Sequence, residues 1–216
     1  MRIQIVIPLW KRPEVTKFCF EELKKLITES KHEIRVLCVL SEGGYIPICN
    51  SYGFSWTYAD NKPLGGKINK GIRRALEAKW DYLMMMNSDD VIKTKLIDVY
   101  YQPFFESKEK FFGINTVTYV KFGTNEAREV NYGYSILGIG KCIRRDVVEE
   151  MNGNLYPRDL NKCLDDNMFD RMIQIKAFPK TVAYEGQLAM DFKSEVNIWP
   201  WEHFKAKGRE VCYSPA

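Results

Sequence analysis

Between residues 84 and 92 the chain reads "MMMNSDDVI", so that Asn87, Ser88, Asp89 and Asp90 follow three methionines directly. Adjacent carboxylates repel, and burying either one unpaired is costly. On a loop after a strand such acids can hold Mg2+ or Mn2+, which favour oxygen ligands and would offset the charge of a leaving diphosphate. Alternatively, Ser88 or Asp89 caps a following helix by accepting free N–H groups. A second stretch, "NKPLGGKINKGI" at 61–72, places Gly65, Gly66 and Lys67 at a helix entry. Glycines allow close backbone approach and a lysine in the first turn suits a phosphate; the alternative is a flexible helix start with solvated lysines. It is not a P-loop, because the spacing and the Lys-Ser/Thr pair are missing. A third, "LDDNMFDRM" at 164–172, opens with Asp165 and Asp166, and Arg171 lies about a turn and a half on. A carboxylate there can act as a general base toward a hydroxyl. Acids at a helix start with an arginine later also complement the helix dipole, without any catalytic role.

The pattern of the surrounding elements predicts how these stretches are held. Apolar, β-branched runs predict strands at 2–9, 33–41, 54–59 and 80–86, and helical spacing predicts helices at 13–30 and 64–79. This β-α-β-β-α-β order argues for a mostly parallel sheet covered by helices on both faces. Ligands of such sheets sit beyond the carboxyl ends of the strands. "PLWKR", "SEGG" and "NSDD" lie at such ends and should converge on one crevice. The second half predicts a helix over 93–107 broken at Pro103, a strand at 110–123, and strand pattern with glycines over 129–145. Helices at 144–152 and 164–177 and a strand at 180–186 complete it. No repeat or linker divides the chain, so the reading is one α/β domain, with 1–92 as its nucleotide half and 93–216 as its second-substrate half.

Composition narrows the class. The 216 residues are 45% hydrophobic and 28% charged, with mean hydropathy −0.33, as in a soluble globular protein. No apolar run is long enough to span a membrane, and "MRIQIVIPLWKRP" reads as a first strand rather than a targeting segment; a cytoplasmic location is expected. A net charge of +4 suits an anionic ligand without the bias of a dedicated nucleic-acid binder. Six scattered cysteines without a CxxC pair read as reduced core thiols rather than a zinc site.

Taken in order, these stretches resemble the GT-A fold glycosyltransferases, and among them the family 2-like inverting enzymes. "IVIPLWKRPE" is similar to the family's opening strand and loop, with Pro8 and Arg12 matching, and "VLCVLSEGG" to its second strand. "NKPLGGKINKGIRRALEAKWDYLMMMNSDD" resembles the block that ends in the metal motif, with Asn61, Gly65, Asn69, Gly71 and Ala75 in pattern. "LGIGKCIRRDVVEEM" resembles the glycine-rich stretch before an Arg-Arg helix, and "LDDNMFDRM" the helix that carries the catalytic base. The resemblance implies an inverting transfer of sugar from a nucleotide diphosphate-sugar, UDP-sugar first, with Mn2+ or Mg2+. It makes Asp89 the metal ligand, Asn87, Ser88 and Asp90 donor contacts, and Lys67, with Gly66, a diphosphate contact. Asp165 is then the base, with Asp166 as the fallback or an acceptor contact. The departures are Asn87 at the first acid of the Asp-X-Asp metal motif, and Ser41-Glu42 where the family carries a uracil-binding aspartate.

Some members of that family add a late histidine as a metal ligand. Of two histidines, His203 lies late enough, and His32 reads as part of a surface linker. Trp199 and Trp201 either stack on a sugar or base, or pack in a C-terminal helix. The acceptor is either a surface glycan or, as basic clusters such as "KGIRR" and "KCIRR" permit, a hydroxymethylated pyrimidine in phage-type DNA. Two other classes compete. A nucleotidyltransferase of similar fold would want a glycine- and arginine-rich loop after the first strand, which "PLWKRPEV" lacks; a non-catalytic nucleotide-sugar-binding module is the other.

Overall fold

The computed structural model describes residues 1–213. The chain begins β1 (Arg2–Leu9), α1 (Pro13–Glu29), β2 (Glu33–Leu40), α2 (Ile46–Tyr52), β3 (Ser55–Tyr58), α3 (Leu64–Ala75) and β4 (Tyr82–Met85). Each expected strand and helix of this half is present. The addition is α2, which makes the order β-α-β-α-β-α-β. It was hidden because it is short and, among its residues, only Cys49 is buried; its bounds are Pro47 near the start and Gly53, at φ 70°, at the end.

β1 pairs in parallel with β2 and β4, and β2 with β3. The second half supplies β5 (Asp90–Ile92), a five-residue π-turn (Leu96–Tyr100), α4 (Gln102–Glu106), β6 (Phe111–Ile114), β7 (Thr116–Lys121) and β8 (Glu126–Asn131). It continues through β9 (Cys142–Arg144), α5 (Arg145–Glu150), α6 (Leu164–Gln174), β10 (Pro179–Val182), β11 (Ala189–Lys193), α7 (Trp201–Lys205) and β12 (Arg209–Cys212). The expected strand at 110–123 is thus two strands that serve different sheets. The main sheet runs β10-β6-β9-β4-β1-β2-β3, and the second β12-β8-β7-β11-β5. Within the main sheet only the β9 pairings are antiparallel.

Strand periodicity sorts side chains to two cores. Ile3, Ile5 and Ile7 of β1 and Met84 and Met86 face α1, whose Phe20, Leu23 and Leu26 are buried against them. Val6, Leu83 and Met85 face the other way, onto Ile68 and Ile72 of α3 and Met168 and Met172 of α6. The three methionines therefore alternate between both faces of a buried central strand. α3 lies close on β1 and β2 because Gly71 has no side chain: a Cβ there would run into Val39. Among the described residues, no helix is long and apolar enough to cross a membrane. His32 is a correction to the surface-linker reading: it is 7% exposed, its Nδ1 lies 3.3 Å from the N-terminal amine, and its ring packs on Phe105.

Candidate active site

The chain leaves β4 at its carboxyl end and turns at once into β5. Asn87 is exposed in this turn, while Ser88, Asp89 and Asp90 are buried. The turn is closed by Asn87 N donating to Asp90 Oδ2 at 2.6 Å. β5 pairs antiparallel with β11, which sets Asp90 opposite Asp191. One oxygen from each of Asp89, Asp90 and Asp191 then lies within 4.8 Å of the others.

Two cations face these acids. Arg12 donates to Asp89 Oδ2 at 2.5 Å and to Ser88 Oγ at 2.8 Å, and Lys193 Nζ donates to Asp191 Oδ2 at 2.7 Å. Asn197 Nδ2 adds a bond to Asp89 Oδ2 at 2.6 Å. Three carboxylates thus meet two positive side chains, and Asp90 Oδ1 and Asp191 Oδ1 are buried without any partner. Burial, then the charges of Asp191 and Asp89, push Asp90 well above the usual carboxylate range. Burial pushes Asp191 up to about 6, although Lys193 opposes it. Burial works against the charge of Lys193, but Asp191 and Asp89 outweigh it and hold the group above an ordinary lysine. Buried acceptor oxygens with surplus negative charge suit a hard divalent cation, which takes oxygen ligands. The residues present fit such an ion, with Asp90 and Asp191 offering free oxygens beside Asp89.

Asp191 was not among the expected site residues. Its signal was available: in "AMDFK" an acid and a lysine two apart share one face of an otherwise apolar strand. His203 does not join the three aspartates. Its Nε2 lies 2.9 Å from Lys207 Nζ, and its ring stacks on Trp199 with centroids 4.9 Å apart. Trp201 is buried as a packing residue, and Trp199 is half exposed.

The loop after β1 brings Arg12 to this place. Lys11 and Arg12 both adopt left-handed backbone, at φ 51° and 63°, a conformation that non-glycine residues hold only when their surroundings enforce it. The Tyr45 hydroxyl, donating to Lys11 O, and the Arg12 contacts with Asp89 and Ser88 enforce it here. Pro8, the penultimate residue of β1, pairs with Val39 of β2. Lys67 on α3 is buried and donates to Leu9 O at 2.6 Å and to Asn61 Oδ1 at 3.2 Å. Burial pulls it down to about 8, with Arg12 adding to the effect and Glu42 opposing it. Lys67, Asn61, Glu42 and Arg12 therefore gather at the carboxyl ends of β1 and β2. Asn69 is placed differently: its amide donates to Tyr156 O at 2.7 Å and accepts from Tyr156 N at 3.0 Å. Gly65 and Gly66 lie against the backbone carbonyls of Pro157 and Arg158, where a Cβ would crowd them. These three residues clamp α3 to the segment that leads into α6.

Asp165 and Asp166 open α6, and with Ser135, Ile136, Phe169 and Asp170 they line a cavity of about 170 Å³. Asp165 is half exposed and forms an ion pair with Lys141, which is 1% exposed. Lys141, expected as part of the basic cluster "KCIRR", is thus buried and neutralised, and the neighbouring Arg144 and Arg145 pair with Asp146 and Glu149. In "KGIRR", Arg74 pairs with Glu77. A larger cavity of about 420 Å³ lies by Arg2 and Trp80, at the amino ends of β1 and β4. It is on the opposite edge from the acids, where ligands of parallel sheets are not expected.

No family model matches this sequence, and no curated protein sequence matches it. Solved structures do match. The fold is similar to residues 1–349 of TarS from S. aureus in complex with UDP-GlcNAc, at TM-score 0.60 and 14% identity, over 91% of this chain and 60% of that one. It is also similar to the mannosyltransferase PcManGT from Pyrobaculum calidifontis in complex with GDP-Man and Mn2+, at TM-score 0.59 and 11% identity, over 88% and 56%. A third match is a CMP:2-keto-3-deoxy-manno-octonic acid synthetase complexed with CTP, at TM-score 0.54 and 12% identity, over 87% and 93%. The chain spans about three-fifths of the length of these first two matched chains. Its mostly parallel main sheet, covered by helices on both faces, is the GT-A fold of the glycosyltransferases that it matches.

Proposed function

We propose that this protein is an inverting glycosyltransferase that moves a sugar from a nucleotide diphosphate-sugar to an acceptor hydroxyl. The observation that carries this reading is the pair of buried, unpartnered oxygens of Asp90 and Asp191 beside Asp89, at the carboxyl end of the central strand. Asp89, Asp90 and Asp191 would hold Mn2+ or Mg2+; such an ion, when bound, supplies charge stabilisation to a departing diphosphate. The donor lies over the carboxyl ends of β1, β2 and β4. Arg12 and Lys67 border its diphosphate, with Pro8, Glu42, Asn61, Asn87 and Ser88 around the nucleotide. Asn69 and Gly66 support this side through their contacts with the segment before α6. Asp165 takes the proton of the acceptor hydroxyl, which attacks the anomeric carbon from the face opposite the diphosphate. Asp166 borders the acceptor.

The donor thus rests mainly on residues 1–92 and the acceptor on 93–216, in the cytoplasm; the last three residues of that half lie outside the described structure. Asp191 and Asn197 are the second half's contribution to the donor side. The acceptor is a glycan hydroxyl rather than DNA, because Asp165, Asp166 and Asp170 line its cavity and would repel a phosphate backbone. The protein should accordingly show no salt-dependent retention on duplex DNA, which phosphate contacts would produce.

The test is a screen of nucleotide-sugars, including UDP-GlcNAc and GDP-mannose, with Mn2+, scored for slow release of nucleoside diphosphate. Asp89→Ala and Asp165→Asn should each lower that release roughly 100- to 1,000-fold. Near-normal release by both variants refutes the reading. Release of pyrophosphate from a nucleoside triphosphate would instead point to nucleotidyl transfer, and no turnover of any donor to a binding module.

A further inference from the structure

Lys141 ties the candidate base to the strand that leads into the acidic turn. Its backbone is locked to β4: Gly140 N donates to Met85 O at 2.8 Å, and Met85 N to Lys141 O at 3.0 Å. The Tyr101 hydroxyl fixes the preceding carbonyl, Gly140 O, at 2.9 Å. Met85 ends β4, and Asn87 to Asp90 follow it. From this anchored backbone the Lys141 side chain runs through the interior, passes over the Tyr156 ring at 5.3 Å, and ends on Asp165. Gly113 leaves it room, since a Cβ there would press on Lys141 Cα at 3.1 Å and Cβ at 3.2 Å. On the far side Gly138 lets the carboxylate sit close, since a Cβ there would meet Asp165 Oδ2 at 2.9 Å.

We propose that Lys141 is a positioning residue: a buried strut that sets the place of the Asp165 carboxylate relative to the acidic turn after β4. The inference rests on the assignment of Asp165 as the acceptor base. A buried ammonium must have a counter-charge, so wherever Lys141 Nζ is fixed, Asp165 follows. α6 alone would leave a half-exposed aspartate in its first turn free among several rotamers. The groups that face Asp165 are Lys141 and Tyr156 from the interior, and Asp166 and Asp170 around the cavity. Lys141 is the only cation among these, and its ion pair is what holds the carboxylate in place.

The experiment compares wild type, Lys141→Met, Asp165→Asn and the double variant in release of nucleoside diphosphate from UDP-GlcNAc and GDP-mannose with Mn2+, from pH 5 to 9. Asp165→Asn strands the buried ammonium and can lose stability. The double variant removes both charges together and keeps the comparison interpretable. Lys141→Met should lower kcat ~10- to 100-fold, with donor KM unchanged. A lower Tm for Lys141→Met with wild-type kcat overturns the strut and leaves the base reading intact. Wild-type rates in both Asp165→Asn and the double variant overturn the base reading, and the strut with it. No release by wild type from either donor does the same.

Discussion

At the donor end, three aspartates face Arg12 and Lys193, and two buried carboxylate oxygens find no partner; at α6, one aspartate faces one fully buried lysine, and the pair is complete. Both places hold carboxylates close to cations, but they differ in what is left over. Surplus buried negative charge is offset only if something positive arrives, which the proposed divalent cation would supply. A matched pair needs nothing further, and its half-exposed carboxylate is presented to solvent in a set position, as a proton acceptor should be. Counting acids alone would rank the two together, and charge balance separates them.

The comparison breaks most sharply at Asp90. Asp90→Asn replaces a carboxylate that repels Asp89 and Asp191 by an amide able to donate to them. Without a divalent ion this variant should be more stable than wild type, by about 0.5–2 kcal/mol. With Mn2+ the order should reverse. A free ion at 100 times its Kd stabilises wild type by about 2.7 kcal/mol, and the variant should gain far less. Nucleoside diphosphate release should fall roughly 100- to 1,000-fold. Thermal unfolding in chelator and in Mn2+ checks both signs. A variant that is destabilised in chelator would mean that the three acids are already balanced.

At the α6 pair the corresponding change is geometric. Gly138→Ala introduces a Cβ 2.9 Å from Asp165 Oδ2, so the carboxylate must shift. Because the ion pair can re-form in the shifted position, stability should change by less than about 1 kcal/mol, while kcat should fall by about tenfold. Donor KM should stay the same. A large loss of donor affinity would show that the two sites are not separate.

This division also explains what could be read from the chain. β1, β2 and β4 were legible because strands of a parallel sheet, buried on both faces, appear as unbroken apolar runs. Gly66, Asp89 and Asp165 could be singled out because each lies in a local pattern: a helix entry, a strand exit, a helix start. Asp191 and Lys141 could not. Asp191 reaches the acidic turn only through the antiparallel pairing of β5 with β11, a register that local spacing does not encode. Lys141 sits in "KCIRR", which reads as an exposed basic run, until the pairing of β9 with β4 and β6 turns it inward. The second half resists reading for the same reason. β7, β8, β11 and β12 interleave polar with apolar residues, so their runs are short and mixed.

The smallest expected effect concerns a fourth cation, Lys67, whose hydrogen-bond partners are neutral where those of Arg12, Lys193 and Lys141 include carboxylates. It is buried against Leu9 O and Asn61 Oδ1, and burial lowers it to about 8, whereas in the unfolded chain it titrates near 10.4. Between these values the unfolded state binds the extra proton, so this group makes stability rise with pH from about 8 to about 10.4. Below that window the folded protein carries the full cost of a buried charge. A donor diphosphate beside Lys67 reverses the preference, because it favours the charged form. Donor affinity should therefore be highest below pH 8 and weaken above it, with donor KM rising about threefold to tenfold between pH 7.5 and 9. Lys67→Met should flatten both dependences, in the donor KM profile and in Tm against pH. A KM profile unchanged by that substitution would place the diphosphate away from Lys67 and leave Arg12 as the cation on its side.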